Sequence, residues 1–120
     1  MPTQTNWPPE NGDITDLIER LDALEERNGI RFEALNATFF IAINTCPTVR
    51  VCGEIHARDG LEITHRLKVA VTAYDPKGRI LDTGQAWIAE PEKFYGFEAF
   101  VICLNTLGQV AKVRVYPQLA

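Results

Sequence analysis

Three side chains that can bind metal ions alternate near the middle of the chain. Cys52, Glu54 and His56 stand at every second position, and a β-strand places alternate residues on the same face. Thiolate, imidazole and carboxylate groups are the usual ligands of zinc, which takes about four of them in a tetrahedron. Cys46 or His65 would have to supply the fourth ligand. This spacing gives one hypothesis for the protein, a small metal-dependent binder or enzyme.

The wider sequence favours a solvated strand face over a metal site at these positions. The chain contains no C-x-x-C or H-x-x-x-H pair, which are spacings typical of zinc sites. A thiolate–imidazole pair of Cys52 or Cys46 with His56 has no recognised motif around it either. Three cysteines in a chain with no visible secretory signal are expected to remain thiols. We therefore predict no metal and no cofactor, and the metal-dependent protein stays the alternative hypothesis.

The composition excludes several enzyme classes and several kinds of partner. The sequence has no serine, so a Ser-His-Asp hydrolase is excluded, and it has neither a Walker loop nor a G-x-G-x-x-G motif. The formal net charge is −4 and no run of Lys and Arg occurs, so nucleic acid and anionic membranes are not expected partners. No apolar run approaches the ~18 residues that a membrane span needs. We predict a cytoplasmic protein without catalytic residues.

Residues 61–78 give the clearest structural signal. Apolar and polar residues alternate there and predict one long β-strand that ends at Tyr74. Asp75-Pro76-Lys77-Gly78 then predicts a tight turn, because proline presets φ at the second position and glycine accepts a positive φ. A returning strand from Arg79 completes a hairpin. The odd-numbered residues are predicted to face the core: Leu61, Ile63, His65, Leu67, Val69, Val71 and Ala73.

The end of this strand resembles a known motif. Val71-Thr72-Ala73-Tyr74-Asp75-Pro76-Lys77-Gly78 is similar to the FxLYD signature, an apolar strand that ends in Tyr-Asp before a D-x-x-G turn. Gly53 resembles the G-x-v-x-N strand of that family, and Gly96 with Phe100 resembles its P-G-x-x-x-x-F strand entry. The resemblance covers about residues 49–117. It implies an immunoglobulin-like β-sandwich without known catalytic residues, which is a statement about fold more than about activity.

The N-terminal part of the chain is acidic and precedes the predicted strands. Residues 1–12 are polar, contain three prolines and are predicted to be a flexible arm, with Trp7 either folded onto the body or docking to a partner. Residues 13–28 predict one amphipathic helix with leucines on its apolar face. That face must be covered by the sandwich or by a second chain. The candidate contact residues of this region are Trp7, Leu17, Leu21 and Leu24.

Residues 29–120 are predicted to form a β-sandwich, and residues 13–120 together a single globular domain. The fold class is mainly β, an immunoglobulin-like antiparallel β-sandwich of six to seven strands with one N-terminal α-helix. Residues 30–35 are ambiguous between strand and helix, whereas the β-branched and aromatic residues after them favour a strand. Residues 97–104 are apolar on both faces except at Glu98 and predict a central strand.

Residues 48–57 predict a further strand with two alternative places in the sandwich. In a direct hairpin with the strand of residues 61–74, Glu54 would lie opposite Arg66. In an immunoglobulin-like sandwich the two strands would instead lie in different sheets, and that pair would not form. The sequence leaves both alternatives open.

Aromatic residues gather in the sequence around Pro91. Exposed aromatic side chains at a loop are typical of binding sites, although such residues also close the core of small sandwiches. The leading hypothesis is a non-catalytic protein-interaction or scaffold module that binds a protein partner or a second copy of itself as a homodimer. The aromatic residues are Trp87, Phe94, Tyr95 and Phe97.

Overall fold

Seven β-strands and one short α-helix form the protein in a computed structural model that describes residues 7–60 and 62–120. The helix has six residues, so the described chain is mainly β, as predicted. None of its helices has the length and apolar character that crossing a membrane requires. The elements are β1 (Ile18–Arg20), α1 (Asp22–Arg27), β2 (Ile30–Ile41), β3 (Pro47–Ala57), β4 (Leu67–Tyr74), β5 (Ile80–Trp87), β6 (Phe97–Asn105) and β7 (Lys112–Leu119).

The strands form two sheets that enclose the core. The three-stranded sheet has the order β2–β3–β6, and the four-stranded sheet has the order β1–β7–β4–β5. The pair of β1 with β7 is parallel, and the other pairs in these two sheets are antiparallel. The prediction of a β-sandwich is confirmed. Its strand order differs from that of the constant-type immunoglobulin sandwich, in which the third, sixth and seventh strands share a sheet.

Alternate residues of the central strands meet between the sheets. Val49, Val51 and Ile55 of β3 and Val69 and Val71 of β4 are all 0% exposed. Burying an aliphatic side chain of this size stabilises the fold by about 1.5–3 kcal/mol relative to leaving it in water. The inward register predicted for β4 is thus confirmed.

The turn after β4 has the predicted form. The Gly78 N–H donates to the Asp75 carbonyl at 2.9 Å. The Asp75 carboxylate accepts hydrogen bonds from the backbone N–H groups of Arg79 at 2.8 Å and Lys77 at 2.9 Å. These bonds, that of the Arg79 backbone first, lower the pKa of Asp75 below its usual value. The hairpin of β4 and β5 is therefore held by local hydrogen bonds that its turn residues supply.

Strand β4 begins at Leu67, so the prediction of one long strand is wrong in its first part. Leu61 lies outside the described residues. Residues 62–66 are not in a strand, because pairing of β4 with β7 begins only at Leu67. His65 is exposed in this segment instead of facing the core, whereas Ile63 is buried as predicted. The chain uses this segment to pass from one sheet to the other.

The sheet to which β3 belongs decides between its two predicted places, a hairpin with β4 or a separate sheet. β3 lies in the three-stranded sheet and β4 in the four-stranded sheet. The pair of Glu54 with Arg66 therefore does not form. Glu54 instead lies opposite Glu33 of β2 and Ala99 of β6.

Residues 13–28 do not form the predicted continuous helix. They divide into a 3₁₀ turn (Thr15–Leu17), β1 and α1. β1 adds to the edge of the four-stranded sheet beside residues 113–115 of β7. A lone helix of this length is only marginally stable in water, so backbone pairing with β7 replaces helical hydrogen bonds at Ile18–Arg20.

A buried carboxylate fixes α1 to both sheets. Glu25 is 0% exposed and accepts hydrogen bonds from Arg20 Nε at 3.1 Å, Arg20 Nη2 at 2.7 Å and Phe32 N at 3.0 Å. The hydrogen bond to Glu25 raises the pKa of Arg20. Arg20 belongs to β1 and Phe32 to β2, so one carboxylate connects the edges of the two sheets.

The N-terminal segment is attached to the sandwich where the structure describes it. The Trp7 ring centre lies 4.9 Å from that of Phe39, and the Phe39 N–H donates to the Gly12 carbonyl at 2.7 Å. Trp7 therefore folds onto the body, and residues 7–12 are held by contacts with β2 instead of forming a free arm. Residues 1–6 of the predicted arm lie outside the described residues.

A β-bulge interrupts β2 within its ambiguous first half. Residues 30–35 belong to the strand, and Ala34 and Leu35 together lie opposite Gly53. Ala34 has a φ of 57°, a conformation that β-bulges use. A Cβ at Gly53 would lie 2.5 Å from Leu35 Cδ2. Glycine is therefore required opposite the bulge to leave space for the leucine.

Strand β6 is an edge strand, so the prediction that it is central is wrong. It pairs with β3 and is the last strand of the three-stranded sheet. Its apolar residues divide between two surroundings. Phe100 and Ile102 are buried in the core, whereas Phe97 and Val101 are 56% and 60% exposed on the opposite side.

Candidate functional site

The outer side of the three-stranded sheet contains most of the side chains that could bind a metal ion or react. We call this surface the three-stranded face. It lies on the side of the sheet away from the core, where alternate residues of each strand project. It is formed by Arg31, Glu33, Asn36, Thr38 and Phe40 of β2, Thr48, Arg50, Cys52, Glu54 and His56 of β3, and Phe97, Ala99, Val101, Cys103 and Asn105 of β6.

Glu33, Glu54 and His56 form a compact cluster on this face. His56 Nε2 lies 2.9 Å from Glu54 Oε1 and 3.8 Å from Glu33 Oε1. One ligand atom of each residue lies within 4.8 Å of the other two. The His56 ring stacks on Phe97 with centroids 5.3 Å apart and 20° between the ring planes. Two carboxylates and one imidazole have the chemistry to hold a divalent cation.

A neighbouring arginine already compensates part of the negative charge of this cluster. Arg31 Nε donates to Glu33 Oε2, and Arg31 Nη1 donates to the Ala57 carbonyl at 3.2 Å. The Arg31 hydrogen bond lowers the pKa of Glu33 below its usual value, and the charge of His56 acts in the same direction. Two carboxylates directly opposite each other repel when both are ionised. Arg31 thus supplies a counter-charge beside Glu33, and a hydrogen bond joins Glu54 to His56.

Sequence spacing does not identify Glu33 as a member of the cluster, because a bulge determines the side of the sheet to which Glu33 points. If the register of the second half of β2 continued without the bulge, Glu33 would lie opposite Ile55 on the core side. The bulge shifts the register by one residue and places Glu33 opposite Glu54. Ala34, which takes the positive φ, gives no sequence signal, because glycine is the residue that adopts this conformation freely. Gly53, opposite the bulge, is the only hint that the sequence contains.

Cys52, a metal ligand only in the alternative hypothesis, does not join the cluster. It lies on the same face, but its neighbour on β6 is Val101, and its thiol is not among the ligand atoms that meet. Cys46 lies in the turn before β3, and His65 is exposed before β4. In the described chain the ligand group contains neither of them. Of the candidate ligands Cys52, Glu54 and His56 in the alternative hypothesis, the structure brings together only Glu54 and His56.

An apolar strip runs beside the cluster along β6. Phe97 and Val101 are more than half exposed, and Cys103 is an exposed free thiol at the next outward position. On the other side of the face, the guanidinium of Arg50 lies 4.8 Å from the centre of the Phe40 ring. Large apolar side chains that stand together in water are typical of interaction surfaces.

The aromatic residues predicted as one binding site have different surroundings. Phe94 is buried in the core. Tyr95 is 80% exposed in the loop before β6, and Phe97 stacks on His56. Trp87 lies on the outer side of the four-stranded sheet with two cationic side chains over its ring. The structure therefore does not bring these residues together.

The predicted contact residues of the N-terminal segment also separate. Trp7 and Leu17 pack against the core. Leu21 and Leu24 are half-buried around the start of α1. Because β1 interrupts the predicted helix, these side chains do not form a continuous apolar stripe.

Comparison of the chain with family models, with curated proteins and with solved structures found no match. The resemblance to FxLYD-like domains therefore depends on the residues alone. The function is therefore inferred from the geometry of the outer surfaces.

Proposed function

We propose that the protein is a non-catalytic interaction module that binds a second copy of itself through the three-stranded face. The exposure of Phe97 and Val101 on one regular sheet face carries this proposal. Two sheets that pack about 10 Å apart remove such side chains from water. Each buried side chain contributes about 1.5–3 kcal/mol, and association has an opposing entropic cost. Two such residues per chain therefore support a weak, reversible dimer.

The charges of β3 match those of a symmetric partner. Arg50, Cys52 and Glu54 occupy successive outward positions of the strand. A twofold axis that lies in the interface, runs perpendicular to β3 and passes over Cys52 would place Arg50 of each copy beside Glu54 of the other. It would also bring the two Val101 side chains together, because Val101 is the cross-strand neighbour of Cys52. Twofold dimers are the commonest soluble homo-oligomers, and a second copy is the partner whose charges complement this face.

Glu33 and His56 suit the rim of such an interface, beside the Glu54 that faces Arg50 of the other copy. Glu54 is hydrogen-bonded to His56 at 2.9 Å, and Glu33 is paired with Arg31. These groups satisfy one another beside the apolar strip, as in interfaces with a hydrophobic centre and a polar rim. This arrangement supports an interaction module more than a reaction centre.

Sedimentation equilibrium of the full chain tests this proposal. The wild-type protein should show a concentration-dependent monomer–dimer equilibrium. Val101→Lys should be monomeric over the same range, because a lysine ammonium would be buried in the interface. Ile80→Lys is the matched control, since Ile80 is 63% exposed on β5, and it should dimerise like the wild type. A wild-type chain that stays monomeric at its highest soluble concentration would contradict the proposal.

A small metal-dependent binder or enzyme is the second candidate, favoured by the ligand atoms that lie within 4.8 Å of one another. Its ligands would be Glu33, Glu54 and His56, and Cys52 would not take part. A bound cation would have to replace Arg31 beside Glu33. Calorimetric titration with Zn²⁺ tests this candidate, because specific binding should be lost in His56→Ala. Equal heats of Zn²⁺ binding in the wild type and in His56→Ala would contradict a metal site at these residues.

Membership of the FxLYD-like immunoglobulin-type domains is also a proposal. Its support is the hairpin of residues 71–78, in which Asp75 accepts the hydrogen bonds that close the turn. We propose a cytoplasmic location as well, supported by Cys46, Cys52 and Cys103, which are free thiols and suit a reducing compartment. Fractionation of cells that express the tagged chain would test the location.

A further inference from the structure

A site on the outer side of the four-stranded sheet already binds a carboxylate of the chain itself. At this Tyr74 site, Lys112 Nζ and Arg114 Cζ lie 4.8 and 5.2 Å from the centre of the Tyr74 ring. Glu19 of β1 lies opposite Arg114, accepts a hydrogen bond from Arg114 Nε and is 3.9 Å from Lys112 Nζ. The Arg114 hydrogen bond lowers the pKa of Glu19. One lysine and one arginine over an aromatic ring thus form a carboxylate site in this protein.

A second site repeats this composition near the start of β4. At this Trp87 site, Arg66 Cζ and Lys68 Nζ lie 5.1 and 5.4 Å from a ring centre of Trp87, and Lys68 is the direct cross-strand neighbour of Trp87. Arg66 Nε donates to the Ile88 carbonyl at 3.3 Å, which orients the guanidinium and leaves its other N–H groups for a ligand. Within residues 7–60 and 62–120, neither Arg66 nor Lys68 forms an ion pair.

We propose that the Trp87 site binds a carboxylate of a protein partner, supplied by an exposed acidic segment. The Tyr74 site is the internal precedent, because there the same three kinds of side chain bind the carboxylate of Glu19. The Trp87 side chain is 54% exposed, so a ligand can reach the site directly. This proposal goes beyond the proposed self-association, which uses the opposite side of the molecule.

The cations of the two sites lie along the direction of β4 on one outer surface. Between the two sites, Ala70 and Thr72 of β4 project outward but are only 4% exposed each, because larger side chains of the neighbouring strands stand beside them. The side chains of Gln85 and Tyr116, which flank Ala70, therefore form the outer surface there instead. Lys68 and Tyr74 are six residues apart on β4, which corresponds to about 20 Å. An extended acidic segment that binds at the Trp87 site and follows the strand would therefore pass over Gln85 and Tyr116.

Charge and ring geometry favour a carboxylate over a nucleic acid. The four cations of the two sites face one carboxylate, that of Glu19, in a chain whose net charge is −4. Single-stranded nucleic acid binds by stacking bases on aromatic rings. At Trp87 and Tyr74 the cations lie over the rings, so a base would have to displace them. A carboxylate binds the cations where they already lie, as Glu19 does.

Fluorescence anisotropy with a labelled hexaglutamate peptide and the full-length chain tests the site at low ionic strength. Arg66→Gln/Lys68→Gln should bind the peptide at least about tenfold more weakly than the wild type, because charge-assisted hydrogen bonds are lost. Lys77→Gln/Lys93→Gln changes the net charge equally at two other exposed lysines and should bind like the wild type. Equal weakening in both double variants would overturn the proposal, as would failure of the wild type to bind.

Two further measurements keep the result specific. In the wild type, the indole N–H resonance of Trp87 should shift on peptide addition while that of Trp7 stays in place. Hexaglutamine should not bind, and an oligothymidylate that binds more tightly than hexaglutamate would identify a nucleic-acid site and overturn the proposal. Val101→Lys should retain the wild-type peptide affinity, so loss of self-association and loss of peptide binding are separate outcomes.

Discussion

The two outer sides of the sandwich are built from similar strands but have different chemistry. On the three-stranded face, Phe97 stacks on His56, and Val101 is exposed beside Cys52, a free cysteine. On the four-stranded sheet, Trp87 and Tyr74 each have a lysine and an arginine over the ring. The neighbours of an exposed aromatic residue, more than its exposure, therefore determine the ligand that it suits. The first surface suits an apolar partner and the second suits a carboxylate.

The comparison also shows that a sheet can gather charge that the sequence disperses. The sequence contains no run of Lys and Arg. Arg66 and Lys68 precede Lys112 and Arg114 by more than forty residues, yet pairing of β4 with β7 places them on one surface. Antiparallel neighbours in a sheet need not be neighbours in the chain, so the lack of a Lys and Arg run in the sequence does not reveal this grouping.

The largest effect is expected from Val69→Asp, which should abolish both outer surfaces together. Val69 is 0% exposed between the sheets, and an unpaired carboxylate there should destabilise the fold by at least about 3 kcal/mol. Urea denaturation measures the change. Gln85→Asp is the control, since Gln85 is exposed on β5 and the same substitution there should cost less than about 0.5 kcal/mol. Equal midpoints for the two variants would show that the register of β4 is wrong.

Glu25→Gln should weaken the connection between the two sheets. The amide retains an acceptor for the Phe32 N–H but loses the charge that Arg20 binds. We expect a loss of about 1–3 kcal/mol in the free energy of unfolding. Glu26→Gln, at an exposed position of the same helix, should leave it nearly unchanged. Similar unfolding curves for both variants would contradict the assigned role of Glu25.

Gly53→Ala should disturb the three-stranded sheet more than Gly84→Ala disturbs the four-stranded sheet. The new Cβ would lie 2.5 Å from Leu35 Cδ2 at Gly53, but 3.0 Å from Leu104 Cδ2 at Gly84. Overpacking of this kind costs about 1–3 kcal/mol. Leu35→Ala should relieve part of the loss in a double variant, which urea denaturation would detect as coupling. A larger loss for Gly84→Ala would contradict the bulge geometry.

The smallest effect concerns pH and compares one carboxylate on each surface. The pKa values of Glu33 and Glu19 are lowered in the folded state from the usual 4.5, by hydrogen bonds from Arg31 and Arg114 respectively. Their stabilisation is therefore present above the usual pKa and is lost as the pH falls through the lowered value. Glu33→Gln and Glu19→Gln should each flatten the acid side of a plot of urea midpoint against pH. A steeper decline in either variant would contradict the assigned ion pair.

Local signals in the sequence predicted the parts of the fold that depend on nearby residues. The hairpin of β4 and β5 was predicted because alternation and the turn of Asp75 and Gly78 are encoded within a few positions. β1 was mistaken for part of a helix because its hydrogen-bond partners, residues 113–115, are far away in the chain. β6 was predicted to be central because its two apolar faces do not reveal that one of them is exposed to water.

The candidate sites show the same limit. Glu54 and His56 were found together because they alternate on one strand. Glu33 joins them only through the bulge of β2, and the Trp87 site requires the pairing of β4 with β5. Residues that meet across strands can be predicted only after the register is known.

The most direct test of the account is to mix two oppositely charged variants of the three-stranded face. Arg50→Glu and Glu54→Arg should each be largely monomeric in sedimentation, because the twofold interface would then place like charges together. An equimolar mixture should form a heterodimer with an affinity close to that of the wild-type dimer, since each contact again joins opposite charges. Two variants that each dimerise like the wild type, or a mixture that stays monomeric, would contradict the proposed self-association.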